Sequence, residues 1–123
     1  MDSYILVIDP SGVIRFKMRE IITQTGYHPV LSMDGEDALT KIKSGRYSIK
    51  MIVMEWVLPH LSGLDVLKII KKSPHRAIPI VVVTSESTKT SVIKALQNGA
   101  SDYVIKPFSK EQMKQKIENF VQK

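Results

Sequence analysis

Apolar residues follow two alternating rhythms along this chain. Tyr4 to Ile8 (YILVI) is a continuous apolar run ending at Asp9-Pro10, the form of a strand buried on both faces. After it, Ile14, Met18, Ile21, Ile22 and Thr25 recur with helical spacing, and Gly26 stops the helix. His28 to Leu31 predicts a short second strand. Asp34 caps a helix striped by Ala38, Leu39 and Ile42 and broken at Ser44-Gly45. Lys50 to Met54 (KMIVM) predicts a third strand, closed by Glu55. Ser62-Gly-Leu-Asp65 has the form of a capping box with Asp in place of Glu. It opens a helix through Leu64, Leu67 and Ile70, with Pro74 beyond its end. Ile80 to Val83 predicts the fourth strand, followed by Thr84-Ser85-Glu86. Val92, Ile93 and Leu96 mark a fourth helix ending at Asn98-Gly99, and Tyr103 to Ile105 predicts a fifth strand. Ser109-Lys-Glu-Gln112 is a full capping box before a last helix striped by Met113, Ile117, Phe120 and Val121.

Strand and helix thus alternate five times with short connections, which argues for an α/β protein with a parallel sheet covered by helices on both faces. At 123 residues the chain suits one domain, taken as residues 1–123. Apolar runs such as Ile78-Pro79-Ile80-Val81-Val82-Val83 are strand-sized, far short of the ~20 residues of a membrane span. The start Met1-Asp2-Ser3-Tyr4 lacks the basic region of a signal peptide. With no cysteine, disulfides, thiolate metal sites and cysteine nucleophiles are excluded, and a cytoplasmic location is expected.

In an open parallel sheet, ligands bind beyond the carboxyl ends of the strands. Strand one delivers Asp9 there, strand two only Ser32, strand three Glu55, strand four Thr84 and Ser85, and strand five Lys106 before Pro107. Two carboxylates, a hydroxyl and an ammonium are therefore expected on one rim. Asp9-Pro-Ser-Gly12 matches neither glycine-rich phosphate cradle, and no GxSxG elbow exists. His28, His60 and His75 lack metal-ligand spacing; His28 falls on a strand expected at the sheet edge.

The chain from Tyr4 to about Val121 resembles the receiver domain of two-component response regulators, in particular the stand-alone chemotaxis-type receiver. The pieces that carry the likeness are Ile5-Leu-Val-Ile-Asp9, Gly35-Glu-Asp-Ala-Leu39, Glu55-Trp-Val-Leu-Pro59, Leu61-Ser-Gly63, Thr84-Ser85, Gly99-Ala-Ser-Asp-Tyr103 and Lys106-Pro-Phe108. The resemblance implies a three-layer flavodoxin-like (βα)5 fold with strand order 2-1-3-4-5. It also implies an aspartate after strand three that becomes an acyl phosphate, and Mg²⁺ held by that aspartate and two acids after strand one. A Thr or Ser and a Lys bind the phosphoryl oxygens, and an aromatic on strand five turns inward. Thr84, Tyr103 and Lys106 match the switch hydroxyl, aromatic and lysine, and Pro107 a proline whose cis bond aims that lysine.

Two positions depart from the pattern. Asp9 matches the first acid, but Pro10 stands at the second, and Glu55 occupies the phosphoacceptor position. Mg²⁺ demands near-octahedral oxygen ligation, and Pro10 removes a ligand and its charge. Glu55 places its oxygen about 1.5 Å from where an aspartate would, and a misplacement near 1 Å can cost about a hundredfold. No metal or other cofactor is therefore expected, with Asp9 and Glu55 as residual ligands for Mg²⁺ if the acid pocket still works. A carboxylate reaching from Glu55 toward Lys106 and Thr84 would supply a permanent charge where the family makes a transient phosphate. The expectation is a receiver, not an enzyme, acting through protein contact with a kinase or effector. The face would be helix four, strand five and helix five, including Lys89, Lys94, Tyr103, Lys110 and Lys114. A plain structural Glu55–Lys106 salt bridge is the neutral version. The alternative is a working phosphoreceiver served by a histidine kinase.

Charge adds one competing class. The formal net charge is +6, and Lys68, Lys71, Lys72, His75 and Arg76 cluster with no acid among them. Such a cluster suits an acidic partner or nucleic acid, or simply complements a helix C-terminus. The chain lacks a nucleic-acid recognition motif or stacking platform, which argues against a small basic nucleic-acid binder.

Overall fold

All ten elements expected from the apolar rhythm form. In the computed structural model, residues 2–121 are described; Met1 and Lys123, the ends of the expected 1–123 domain, lie outside them. The elements are β1 (Tyr4–Ile8), α1 (Gly12–Gln24), β2 (His28–Ser32), α2 (Gly35–Lys43), β3 (Ile49–Met54), α3 (Gly63–Lys71), β4 (Ile80–Thr84), α4 (Lys89–Gln97), β5 (Asp102–Ile105) and α5 (Lys110–Phe120). The strands pair in parallel in the order β2-β1-β3-β4-β5. This is the flavodoxin-like (βα)5 arrangement.

The unbroken apolar runs are explained by a core on each face. Ile5 and Val7 of β1 join Met18, Ile21 and Ile22 of α1 and Met113 and Ile117 of α5 on one side. Leu6 and Ile8 join Ala38, Val66, Leu67, Ile70 and Ala95 of α2, α3 and α4 on the other. Successive residues of a strand point to opposite faces, so every position of β1's interior must be apolar. Asp34, Ser62 and Ser109 cap their helices as expected, accepting from Asp37, Asp65 and Gln112 backbone N–H groups. The edge strand β2 is blunted as well. Pro29 offers no donor, and the Leu31 carbonyl accepts from Lys41 Nζ at 2.6 Å.

Three expectations fail in detail. On α3, Val66 is buried with Leu67 and Ile70, while Leu64 is only half-buried. Thr25 and Val121 are caps rather than helical residues. On α4 the expected stripe does not form the core: Ala95 is fully buried, whereas Ile93 and Leu96 are 43% and 46% exposed. The helix approaches the sheet through Ala95, and it packs on the edge strand β5, which has no neighbour beyond it to extend the covered surface.

Candidate functional site

The residue following each of three strands stays laced to the neighbouring strand. The N–H of Asp9 donates to Ser32 O at 3.0 Å, that of Glu55 to Ile8 O at 2.8 Å and that of Lys106 to Thr84 O at 2.9 Å. These bonds hold the three side chains at the carboxyl end of the sheet, beside Thr84, the last residue of β4. Gly63 completes the frame. Its N–H donates to Trp56 O at 3.1 Å, and a Cβ there would lie 2.5 Å from that oxygen. Only glycine lets α3 begin so close to the segment that follows Glu55.

The rim residues converge through one cation. Lys106 Nζ donates to Asp9 Oδ2 at 2.8 Å and to Glu55 Oε1 at 2.9 Å. The remaining carboxylate oxygens are also engaged: Ser11 N–H donates to Asp9 Oδ1 and Val57 N–H to Glu55 Oε2, each at 2.9 Å. Both acids are nearly shut from solvent, Asp9 at 3% and Glu55 at 8% exposed. Burial alone would lower the Lys106 pKa, but the two carboxylates outweigh it and hold the ammonium above its ordinary value. The Lys106–Pro107 peptide is cis.

Thr84 and Tyr103 meet through the backbone of Glu86. Glu86 N–H donates to Thr84 Oγ1 at 3.2 Å, and the Tyr103 hydroxyl donates to Glu86 O at 2.5 Å. Burial, aided by the charges of Glu86 and Glu55, pushes the Tyr103 phenol up. Glu55 reaches Lys106 as expected but not Thr84. The Glu55 oxygens are taken by Lys106 and the Val57 amide.

Several sequence-derived residues fall outside this group. Pro10 is exposed and its side chain brings no oxygen; Ser85 is exposed; Ser32 is buried, its hydroxyl without a partner among the described residues. Among the described residues no three His, Cys, Asp or Glu side chains cluster closely enough to hold a metal ion. Lys89, Lys94 and Lys110 are exposed, yet Lys110 and Lys114 line grooves shared with α1, beside Phe16 and Tyr27 respectively. Lys116 of the same helix pairs instead with Asp102 of β5. What β5 and α4 do expose are Ile93, Leu96 and Ile105.

Sequence reasoning missed the groups that buttress the site. Arg15 Nη1 donates to Asp9 O at 2.6 Å. Lys17 Nζ donates to Phe108 O at 2.7 Å and lies 4.3 Å from that ring's centre, tying α1 to the segment after Lys106. The position of Ser11 before a helical run was a readable cap signal. The amide of Val57 and the carbonyl of Glu86 are backbone groups that no residue type announces.

Residues 5–118 match the response regulator receiver domain. The chain belongs to that family. The receiver is 33% identical over 116 residues to the chemotaxis protein CheY1 of Helicobacter pylori, spanning 93% of each chain. It is 31% identical over 120 residues to a CheY homolog of Campylobacter jejuni, spanning 94% of this chain and 89% of the relative. Its fold matches the chemotaxis protein CheY4 of Vibrio cholerae with a TM-score of 0.88, covering 98% of this chain and 100% of that one, at 23% identity. The receiver is thus a module of two-component signalling, and no described helix is long and apolar enough to cross a membrane.

Proposed function

We propose that this receiver is a phosphorylation-independent signalling module, an atypical member whose pocket is filled from within and which acts by binding protein. The observation that carries the reading is the Asp9–Lys106–Glu55 bridge, in which every carboxylate oxygen already has a protein donor. Opening that bridge for a metal would strip a half-buried cation from two buried anions, and Pro10 supplies no third carboxylate to offset the loss. Glu55 gives the lysine a permanent partner in place of a transient phosphoryl group. The inward Tyr103, latched on Glu86, gives the α4–β5 surface one fixed form.

The surface that meets the partner is the exposed Ile93, Leu96 and Ile105 with Lys89 and Lys94 beside them. The chemotaxis relatives support a signalling protein, a histidine kinase or an effector, as that partner. The lack of cysteine supports a cytoplasmic setting.

The reading is tested by treating the protein with acetyl phosphate and Mg²⁺ and measuring its intact mass. The expected outcome is no phosphoryl adduct on the natural sequence and an adduct on the Pro10→Asp/Glu55→Asp double variant. An adduct on the natural sequence overturns the proposal in favour of a working phosphoreceiver.

A further inference from the structure

The positive charge of this protein is not evenly spread. Residues 38–54 and 66–85 carry Lys41, Lys43, Arg46 and Lys50, and Lys68, Lys71, Lys72 and Arg76, with no Asp or Glu in either stretch. Of 18 cations and 12 acids, these two stretches take eight cations and no acid. The rest of the chain is therefore left with ten cations against twelve acids, so the whole +6 originates in these two stretches.

The fold brings the two stretches together. The α2–β3 and α3–β4 connections both lie at the amino end of the parallel sheet, separated from the Glu55 pocket by the length of a five-residue strand, about 17 Å. Between them is a cleft of about 280 Å³ lined from both connections, with Ile42, Tyr47, Ile49 and Ile78 as its apolar part. Arg46 stands between the lining residues Gly45 and Tyr47, and Arg76 between His75 and Ala77. Lys43 and Lys72 flank them. All four are exposed, and among the described residues none of the four takes part in an ion pair.

Complementing helix ends does not account for this. The C-termini of α2 and α3 together present roughly one negative charge, and Lys71 is taken up by the α3–β4 connection, donating to Arg76 O and Ile78 O at 2.9 and 3.0 Å. Lys41 is likewise spent, on Asp37 and Leu31 O. Four unpaired cations around an apolar slot remain.

We propose that this cleft is a second docking site, distinct from the α4–β5 surface, for an acidic protein segment that seats an aliphatic side chain between Tyr47 and Ile78 and pairs its carboxylates with Arg46 and Arg76. The apolar slot distinguishes such a segment from a nucleic acid, which would need phosphate contacts and a stacking surface rather than an aliphatic pocket. The site stands independently of how the Glu55 pocket works.

The test is a titration of the ¹⁵N-labelled protein with a ten-residue peptide of Asp and Glu carrying two central leucines. A peptide with the leucines replaced by serine and an oligothymidylate of equal charge serve as comparisons. The expected result is saturable amide shifts confined to residues 42–50 and 72–78, tightest for the leucine peptide. Affinity should fall at least about tenfold in Arg46→Glu/Arg76→Glu, whose altered residues are both exposed. No saturation at millimolar peptide, shifts elsewhere, equal binding of the serine peptide, tighter binding of the oligothymidylate, or an unchanged double variant each overturns the proposal.

Discussion

Helices α3 and α4 are both nine residues long and both carry a helical apolar stripe, yet they meet different fates. α3 buries Val66, Leu67 and Ile70 almost completely and exposes only Ile69 among its large apolar residues, while α4 buries Ala95 and leaves both Ile93 and Leu96 nearly half exposed. The difference teaches that an amphipathic pattern reports which residues could be buried, while position in the sheet decides which are. α3 contributes to the core over the central strands; α4 lies on the edge strand β5 and keeps its large side chains for something else. Each helix also touches the site at its amino end: α3 through Gly63 against Trp56, and α4 through the Thr84–Glu86 segment before it. One end of the rim is thus anchored to the core, and the other to a more exposed surface.

The largest effect expected is at the bridge that joins the two sides. Lys106→Met leaves Asp9 and Glu55 buried against each other and should cost about 3–5 kcal/mol in urea unfolding. Adding Asp9→Asn should recover part of it. The same lysine fixes the sign of the pH dependence. With its folded pKa held above the ordinary 10.5, its contribution is complete below that value and is lost as pH climbs through the raised one; the raised Tyr103 acts in the same direction. Stability should therefore fall on the alkaline side, and Lys106→Met should remove the lysine's share of that fall.

Next comes the helix comparison itself. Leu67→Ala on α3 should cost about 2–5 kcal/mol, and Leu96→Ala on α4 within about 0.5 kcal/mol. Equal costs, read from unfolding midpoints, would erase the distinction. Ala95→Leu should cost about 1–3 kcal/mol by overpacking the one place where α4 touches the sheet. The cap of α4 gives a further, modest effect. Thr88, which accepts from Ser91 N–H at 3.2 Å, should cost about 1 kcal/mol when changed to Ala. Amide exchange should rise along α4 and leave α3 unchanged.

The alternation of strands and helices was legible because β1, β3 and β4 are buried on both faces and so read as solid apolar runs. The rim residues Asp9, Glu55, Thr84 and Lys106 were legible because each follows or ends a strand, where the fold leaves a side chain facing the crevice. The orientation of α4 was not, since Val92, Ile93 and Leu96 have the spacing of a core stripe and only the edge position of β5 leaves Ile93 and Leu96 outward. Nor were the full occupancy of the two carboxylates and the Tyr103 latch, because Val57 and Glu86 contribute backbone groups that any residue would supply. The lysines of α5 divide in a way no spacing announces: Lys110 and Lys114 line grooves beside α1, while Lys116 turns to β5 and pairs with Asp102.

The central claim is that the Asp9–Lys106–Glu55 bridge occupies the pocket and leaves no working metal and phosphoryl site. Trp56, the single tryptophan, adjoins Glu55 and reports on that pocket without a label. Its fluorescence should be followed through a Mg²⁺ titration and then on addition of beryllofluoride, with circular dichroism confirming the folded state. A pocket closed by the bridge gives a flat response to both. A saturable change at millimolar Mg²⁺ that grows with beryllofluoride would contradict it.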